Sequence, residues 1–307
     1  MSYSFLKESK LFIVYGGNRY RIHTNTALGF SQTFAEDSYP VKTLHNQSKM
    51  FEGSTITKAN PAAFNFGVPL TGEKDESLVM DLLTDLVATS ESDIESQQLK
   101  SFDMYVQTGS TTFKVEGCVI ASASFDLGAK SQFLVNIEGQ GIKLTRAGNE
   151  SYTIPGTPQS ESSTRTPKLV YPVVTIDSLN MNNILTTNVQ VQNNINWTKY
   201  DTLQDSLNDT MMYPKTYTID NRVVSGTIQQ YQIDANITQH NDFSTNSNIN
   251  IKAVEVGKAS SDNGFWAIQL NPAMFSARTE VAEVYTQSYD FRSTDNTALG
   301  TRITQYS

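Results

Sequence analysis

Apolar side chains in this sequence recur with a period of two, over and over. Phe102, Met104 and Val106 are interleaved with Asp103, Tyr105 and Gln107, and Phe133, Val135 and Ile137 with Leu134, Asn136 and Glu138. Far downstream the period returns at Val189 and Val191 among Asn188, Gln190 and Gln192. It returns again at Ile249 and Ile251 among Asn248, Asn250 and Lys252, and through Tyr285, Gln287, Tyr289 and Phe291. Successive side chains of a β-strand point to opposite faces, so each such run buries one face and offers the other to water or a partner. Near the start, Leu11-Phe12-Ile13-Val14-Tyr15 meets Gly16-Gly17-Asn18 and returns as Arg19-Tyr20-Arg21-Ile22-His23, which reads as a hairpin. A single segment carries the helical period. Between Asp75 and Val87, Leu78, Leu82 and Leu86 fall four apart with Val79 and Leu83 beside them, and Asp75 and Glu76 stand where the helix dipole favours negative charge. This helix is expected to lie across one face of a sheet.

Composition agrees with a chain built of strands. Ser, Thr, Asn and Gln make up about a third of the residues, only 18% are charged, and there are 14 Tyr and 15 Phe. The formal charge is −8, from 23 basic and 31 acidic residues, and no Lys/Arg cluster occurs. Gripping nucleic acid needs such clusters, because counterion release supplies most of the affinity, so that class is excluded. A lone Cys118 excludes an intrachain disulfide framework and a Cys-rich metal site; between Gly117 and Val119 it reads as a small core residue. The apolar runs are too short for a membrane helix, and no basic segment followed by an apolar stretch opens the chain. Synthesis in a reducing cytoplasm is the expectation.

Residues 147–168 contain Pro155, Pro158 and Pro167 within a Ser/Thr-rich stretch that offers nothing to bury. This predicts a linker at 147–167 between a first domain, 1–146, and a second, 168–307. Three landmarks repeat at an offset of about 160 residues. Thr43-Leu44-His45-Asn46 stands opposite Thr202-Leu203-Gln204-Asp205, Phe102 near Trp266, and Ala123-Ser124-Phe125-Asp126-Leu127 opposite Gln287-Ser288-Tyr289-Asp290-Phe291. They predict duplicated β domains. Split after Ile154, the acidic excess divides evenly, −4 on either side.

Chemistry-bearing residues are sparse. His23, His45 and His240 are never within metal-ligand spacing of one another. Asp81 and Asp85 on the helix, and Glu91, Asp93 and Glu95 after it, read as solvated surface. Gly139-Gln140-Gly141 lacks the Lys and helix start of a phosphate loop. No catalytic residue, metal or cofactor is expected, and the chain does not read as an enzyme. The polar segment 36–51 is different, since it carries Tyr39, Met50 and Phe51, large groups that a solvated loop has no reason to hold. Its rear counterpart, 199–214, carries Tyr200, Met211, Met212 and Tyr213. Either these side chains fold back onto their own sheet or they dock onto another protein, where aromatic and Met residues are enriched.

The order of these features resembles the tail tube proteins of tailed bacteriophages. The likeness runs from Arg19-Tyr20-Arg21-Ile22-His23-Thr24 through Phe30-Ser31-Gln32 to Tyr39-Pro40-Val41-Lys42-Thr43-Leu44-His45. It continues through the helix, Phe102-Asp103-Met104-Tyr105-Val106, Gly117-Cys118-Val119-Ile120, Ser124-Phe125-Asp126-Leu127 and Gly139-Gln140-Gly141-Ile142-Lys143-Leu144. It spans residues 7–146 and, more faintly, 168–295.

The resemblance implies a β-sandwich or split-barrel domain flanked by one α-helix, usually one per chain; joined to the linker and the repeated landmarks, it gives a mainly β chain of two tandem β-sandwich or split-barrel domains, the first with the helix. Copies would join their inner sheets into rings, either three chains each filling two places or six chains, and the rings would stack into a hollow tube through which DNA passes without specific binding. The long loop would reach the neighbouring ring. That makes Tyr39, Lys42, Leu44, His45, Lys49 and Phe51, with Tyr200, Leu203, Met212 and Tyr213 behind, the expected inter-ring contacts. Alternation along the strands marks Asp103, Asp126 and Glu138 as lumen candidates, where negative charge would repel the phosphates. Further partners implied are a tail sheath, the tape measure protein, a baseplate hub and a tail terminator, and the location implied is the virion. A tube-initiating baseplate or distal-tail ring is a second reading. A carbohydrate-binding adhesin module, stacking sugars on Trp197 or Trp266, is a third.

Overall fold

The computed structural model describes residues 9–24, 28–40, 52–71, 74–84, 86–87, 98–160, 168–177, 179–197, 213–232, 247–259, 266–280, 283–293 and 303–305. The chain opens on the expected hairpin, β1 (Lys10–Tyr15) and β2 (Asn18–Ile22), turned at Gly16 and Gly17, whose φ angles of 57° and 78° suit glycine. Then come β3 (Gly29–Ser31), β4 (Phe34–Pro40), β5 (Glu52–Ala59), β6 (Ala62–Pro69), helix α1 (Lys74–Thr84) and the short β7 (Leu86–Val87) and β8 (Gln98–Leu99). The front part ends with β9 (Phe102–Gln107), β10 (Thr111–Gly128), β11 (Ser131–Gln132), β12 (Leu134–Gly141), β13 (Lys143–Asn149) and β14 (Thr157–Pro158). Behind lie β15 (Leu169–Ile176), β16 (Leu179–Asn180), β17 (Ile184–Asn196), β18 (Thr218–Tyr231), β19 (Ser247–Glu255), β20 (Trp266–Glu280), β21 (Thr286–Ser293) and β22 (Ile303–Gln305).

The long strand β10 organises the front. Its first half pairs with β9 and β13, its second half with β12, and between them the register breaks. Gly117 makes that bend: its φ is 57°, its N–H donates to Asp103 Oδ1 at 3.1 Å, and a Cβ there would stand 2.6 Å from the Ile142 side chain. The chain turns the same corner at Ile142, between β12 and β13. One sheet, β14–β2–β1–β9–β10–β13, and another, β3–β6–β12–β10, are thereby folded over a shared core. Phe64, Phe66, Val68, Met104, Val106, Ile120, Phe125 and Ile137 fill it, with Leu78, Val79, Leu82 and Leu83 of α1 laid against them.

The same order of antiparallel pairing occurs twice. In front it reads β2–β1–β9–β10–β12–β6–β3, and behind it reads β16–β15–β19–β20–β21–β18–β17, with β13 beside β10 and β22 beside β20. The landmarks do not follow this correspondence. Phe102 opens β9 whereas Trp266 opens β20, the counterpart of β10, and Gln287–Phe291 falls in β21, the counterpart of β12. The remaining pair, 43–46 and 202–205, lies outside the described residues.

Other departures have local causes. The helix ends at Thr84, whose hydroxyl donates to Met80 O at 2.9 Å, and Leu86 belongs to β7 because Leu86-Val87 pairs with β8. Glu76 is fully buried, accepting from the Thr71 N–H at 2.6 Å and from the Thr71 hydroxyl, so it anchors the helix start as well as answering the dipole. Tyr105, expected on an open face, is 2% exposed because Tyr152 stacks on it at 6.4 Å. Tyr152 belongs to the Pro-rich stretch read as a linker. There residues 147–149 continue β13 and Thr157-Pro158 lies parallel to β2, with Thr157 N donating to Gly17 O and Gln159 N to Arg19 O, both at 2.9 Å. Proline forbids a helix but not an edge strand, since the donors on either side of Pro158 make the bonds. Residues 161–167 lie outside the described residues.

Candidate assembly surfaces

The second half of β10 has strands on both sides. Across from β12 it pairs with β17, from Ser122↔Gln192 to Gly128↔Thr186. One hydrogen-bonded sheet therefore crosses from front to rear in the order β3–β6–β12–β10–β17–β18–β21–β20. The other rear strands curl on until β15 meets β11 beside the β10 turn. One face of the crossing sheet is apolar and covered by the core: Phe64, Phe66, Val135, Ile137, Phe125, Val189, Val191, Val224, Tyr289 and Phe291. The other face is open and mostly uncharged, with Asn65, Asn136, Ser124, Asn188, Gln190, Gln192, Thr227 and Gln229 along it. At the seam Asn188 Nδ2 donates to Ser124 Oγ at 3.3 Å and to the Asp126 carboxylate, and Ser122 Oγ donates to Glu138 Oε2 at 3.4 Å.

The lumen candidates separate. Asp126 and Glu138 are exposed on this open face, and Asp290 joins them behind, 3.9 Å from the Arg278 guanidinium. Asp103 stands on β9 in the other sheet, 3.0 Å from Lys114 Nζ. Burial opposes the charge on Lys114, but its bonds to Asp103 and Glu116 prevail and raise its pKa.

A polar cluster fastens the helix across the seam. Arg222, on β18, donates from Nη1 to Thr84 O at 2.8 Å, from Nη2 to Leu83 O at 3.4 Å, and from Nε to Asn193 Oδ1 at 2.5 Å. Asn193, on β17 and 2% exposed, donates in turn to Leu83 O at 3.2 Å and Ile120 O at 3.0 Å. The last turn of α1 has no basic residue of its own, so a rear cation serves the carbonyl end of a front helix.

The two ends of the crossing sheet differ. At one end β4 and β5 form a separate two-stranded arm, with Phe34 and Ile56 exposed. Gln32 fixes its root: Nε2 donates to Asn60 O at 2.9 Å and Ile142 O at 3.1 Å, and Oε1 accepts from Leu144 N at 2.9 Å. At this same end β17 runs out at Trp197, whose Nε1 donates to Gln140 Oε1 at 2.6 Å, and the described chain resumes at Tyr213. Both long segments singled out in the sequence thus depart from one end. Tyr39 lies in β4 opposite Gly53, and Tyr213 is half-buried with Lys143 Nζ 4.7 Å from its ring centroid. Lys42, Leu44, His45, Lys49, Phe51, Tyr200, Leu203 and Met212 lie outside the described residues. The opposite end, beside the β10–β11 turn, exposes Leu169, Tyr231, Val256, Val284 and Tyr285.

The two tryptophans differ in exposure, Trp197 being half-buried. Trp266 is 2% exposed, and the Trp197 ring packs on Tyr217 at 5.1 Å. The Tyr217 hydroxyl donates to Leu99 O at 2.9 Å, and burial pushes its pKa up to about 12. Burial also pushes the Cys118 thiol well up, which removes the thiolate a nucleophile needs. No group of three or more His, Cys, Asp or Glu able to hold a metal occurs among the described residues. No helix among them is long and apolar enough to cross a membrane. No motif or charge pattern in the sequence marks the roles of Arg222, Asn193 and Gln32. Asn193 carried a usable signal, since it continues the inward-facing positions of Val189 and Val191.

A sequence model of the Bacteriophage Baseplate Tube Protein Family matches residues 1–301, nearly the whole chain. The chain belongs to that family. No curated protein matches it. It is thus a structural protein of a phage baseplate or tube, and family membership implies a non-enzymatic role in the virion.

Proposed function

We propose that the chain is two tandem tube-type modules that build a ring around the path of the phage genome. The observation that carries this reading is the sheet running unbroken from one half to the other, with one face buried and the other open. A ring of such sheets would turn the open face to its lumen. That face holds amides and hydroxyls with Asp126 and Glu138 among them, and its arginines Arg278 and Arg292 stand beside Asp290. DNA passing such a wall meets no cationic track that would retain it.

The arm and the segments departing with it reach the next ring, where the exposed apolar side chains of the opposite end receive them. Tyr39, Lys42, Leu44, His45, Lys49 and Phe51 of the arm, with Tyr200, Leu203, Met212 and Tyr213 behind, make that contact. The ring holds either three chains, each filling two places, or six. Its neighbours are the virion proteins that meet a tube: baseplate hub, tape measure protein, sheath and terminator.

A ring at the baseplate, where the tube begins, and the repeating body of the tube both agree with the family's description. Negative-stain microscopy with mass photometry separates the two. Single or paired rings would assign the chain to the baseplate. Long tubes growing from the purified chain would assign it to the repeating tube instead, and monomers alone at every concentration would overturn ring formation.

A further inference from the structure

Among the described residues, the crossing sheet ends on two unpaired strand edges: β3 pairs only with β6, and residues 274–280 of β20 pair only with β21. In the pairing order that occurs twice, β3 is the counterpart of β17 and β20 the counterpart of β10. Those counterparts, β10 and β17, are joined inside the chain. We infer that the same joint forms between chains: the free edge of β20 in one copy takes the β3 edge of the next, antiparallel and in the register of the internal seam. This deepens the ring reading and rests on it.

The register follows from a packing detail. Across β6 and β12, the Phe64 ring lies against Gly139, where a Cβ would stand 2.1 Å from it. Across β21 and β18, the Phe291 ring lies against Gly226, where a Cβ would stand 2.6 Å from it. The aromatic and the glycine have exchanged strands, but the site is the same, so Gly139 corresponds to Phe291 and Phe64 to Gly226. Through their partners, Ile120 then corresponds to Phe275 and Phe30 to Val189. Ser122-Ala123 falls on Ser276-Ala277, an identity the correspondence did not require.

Carried over, the internal pairs Ser124↔Gln190, Phe125↔Val189 and Asp126↔Asn188 become Arg278↔Ser31, Thr279↔Phe30 and Glu280↔Gly29 between copies. Ser31, Ser276, Arg278 and Thr279 are exposed, and a groove of about 550 Å³ lined by Phe30, Asn65 and Glu138 borders β3. The joint is head-to-tail, so each copy that binds presents a fresh edge until the ring closes.

The test is a pair of engineered cysteines, Ser31→Cys with Arg278→Cys, in the full chain. Directly opposed residues have Cβ atoms ~4.5–5.5 Å apart and diagonal ones ~7–8 Å, so only the matched pair oxidises readily. The control is Thr33→Cys with Arg278→Cys, two residues out of register, and the buried Cys118 stays silent. Mild oxidation is expected to give a non-reducing gel ladder reaching the ring mass, with about tenfold more product than the control or either single variant. Rings seen by mass photometry without the matched cross-link would overturn this joint and leave the ring. Equal cross-linking in both pairs would overturn the register. Monomers alone, without cross-links, would overturn joint and ring together.

Discussion

Arg222 offers the sharpest test of how the two halves are held together. Replacing it with Met keeps an apolar stem and removes every donor. Lost with the guanidinium are the bonds to Leu83 O and Thr84 O at the end of α1 and the bond to Asn193 Oδ1. A hydrogen bond from a charged group contributes ~1.5–3 kcal/mol, and a cation at a helix C-terminus adds ~0.3–1 kcal/mol. Because Arg222 is only part-buried and water replaces some of what is lost, the net cost is about 2–4 kcal/mol. For a chain of this size that lowers the melting temperature by roughly 3–6 °C. Far-UV circular dichroism on dilute monomer measures it. Arg222→Lys keeps the charge but not the fork, and is expected to recover less than half of the loss. Asn193→Ala, alone and combined with Arg222→Met, completes a cycle whose coupling should exceed about 1 kcal/mol, since the two side chains share Leu83 O. A loss below 1 °C for Arg222→Met, or additive single effects, would refute a shared clamp on the helix.

Two further outcomes follow from side chains that act locally. Gln32→Ala removes three bonds at the root of the β4–β5 arm while leaving the core intact. The expected result is a stability loss of ~1–2 kcal/mol and arm proteolysis faster than in the parent; an unchanged cleavage rate would show that the arm is held elsewhere. Tyr217 has its folded pKa raised to about 12 from the ordinary 10.0. The unfolded chain gives up that proton first, so the contribution is complete below pH 10 and is lost as pH rises through about 12. Urea midpoints of Tyr217→Phe should fall less steeply than the parent's between pH 10 and 12, and coincident slopes would contradict the assignment.

Period-two alternation was enough to read the strands, because burial on one face of a sheet leaves that trace in the residues themselves. Val135 and Ile137, Val189 and Val191, and Ile249 and Ile251 are all buried as the alternation requires. What it could not reveal is which strands meet. Pairing depends on backbone bonds that any side chain permits, so the β10–β17 seam left no mark beyond polar outward positions at Asn188, Gln190 and Gln192. The same limit explains the misplaced landmarks. Ala123–Leu127 and Gln287–Phe291 are both half-buried strands with an aromatic and an acid, and such likeness does not tell β10 from β12. Pro155 and Pro158 were read as breakers because proline excludes helices; its tolerance at a sheet edge depends on the β2 backbone lying alongside. The clamp at Arg222 joins residues far apart in sequence, and nothing local to Arg222 marks it.

On the ring reading proposed above, fusing two modules changes how their equivalent joints behave. The β10–β17 joint forms at the effective concentration of a tethered pair, ~mM or above, so it can be extensive without being strong per residue. The inferred β20–β3 joint has no tether and would have to form from dilute chains. Its edges look correspondingly restrained: β3 has three residues, and the outward residues of β20 include Arg278. Short and charged edges are what keep sheets from pairing indiscriminately. A single joint of that kind should be weak, whereas the joint that closes a ring is again intramolecular and as favoured as the tethered one. Closed rings would then outcompete open chains of modules, and partial rings should stay scarce at all concentrations. A mass distribution rich in open intermediates would show instead that each β20–β3 joint is strong alone, and that ring closure adds nothing.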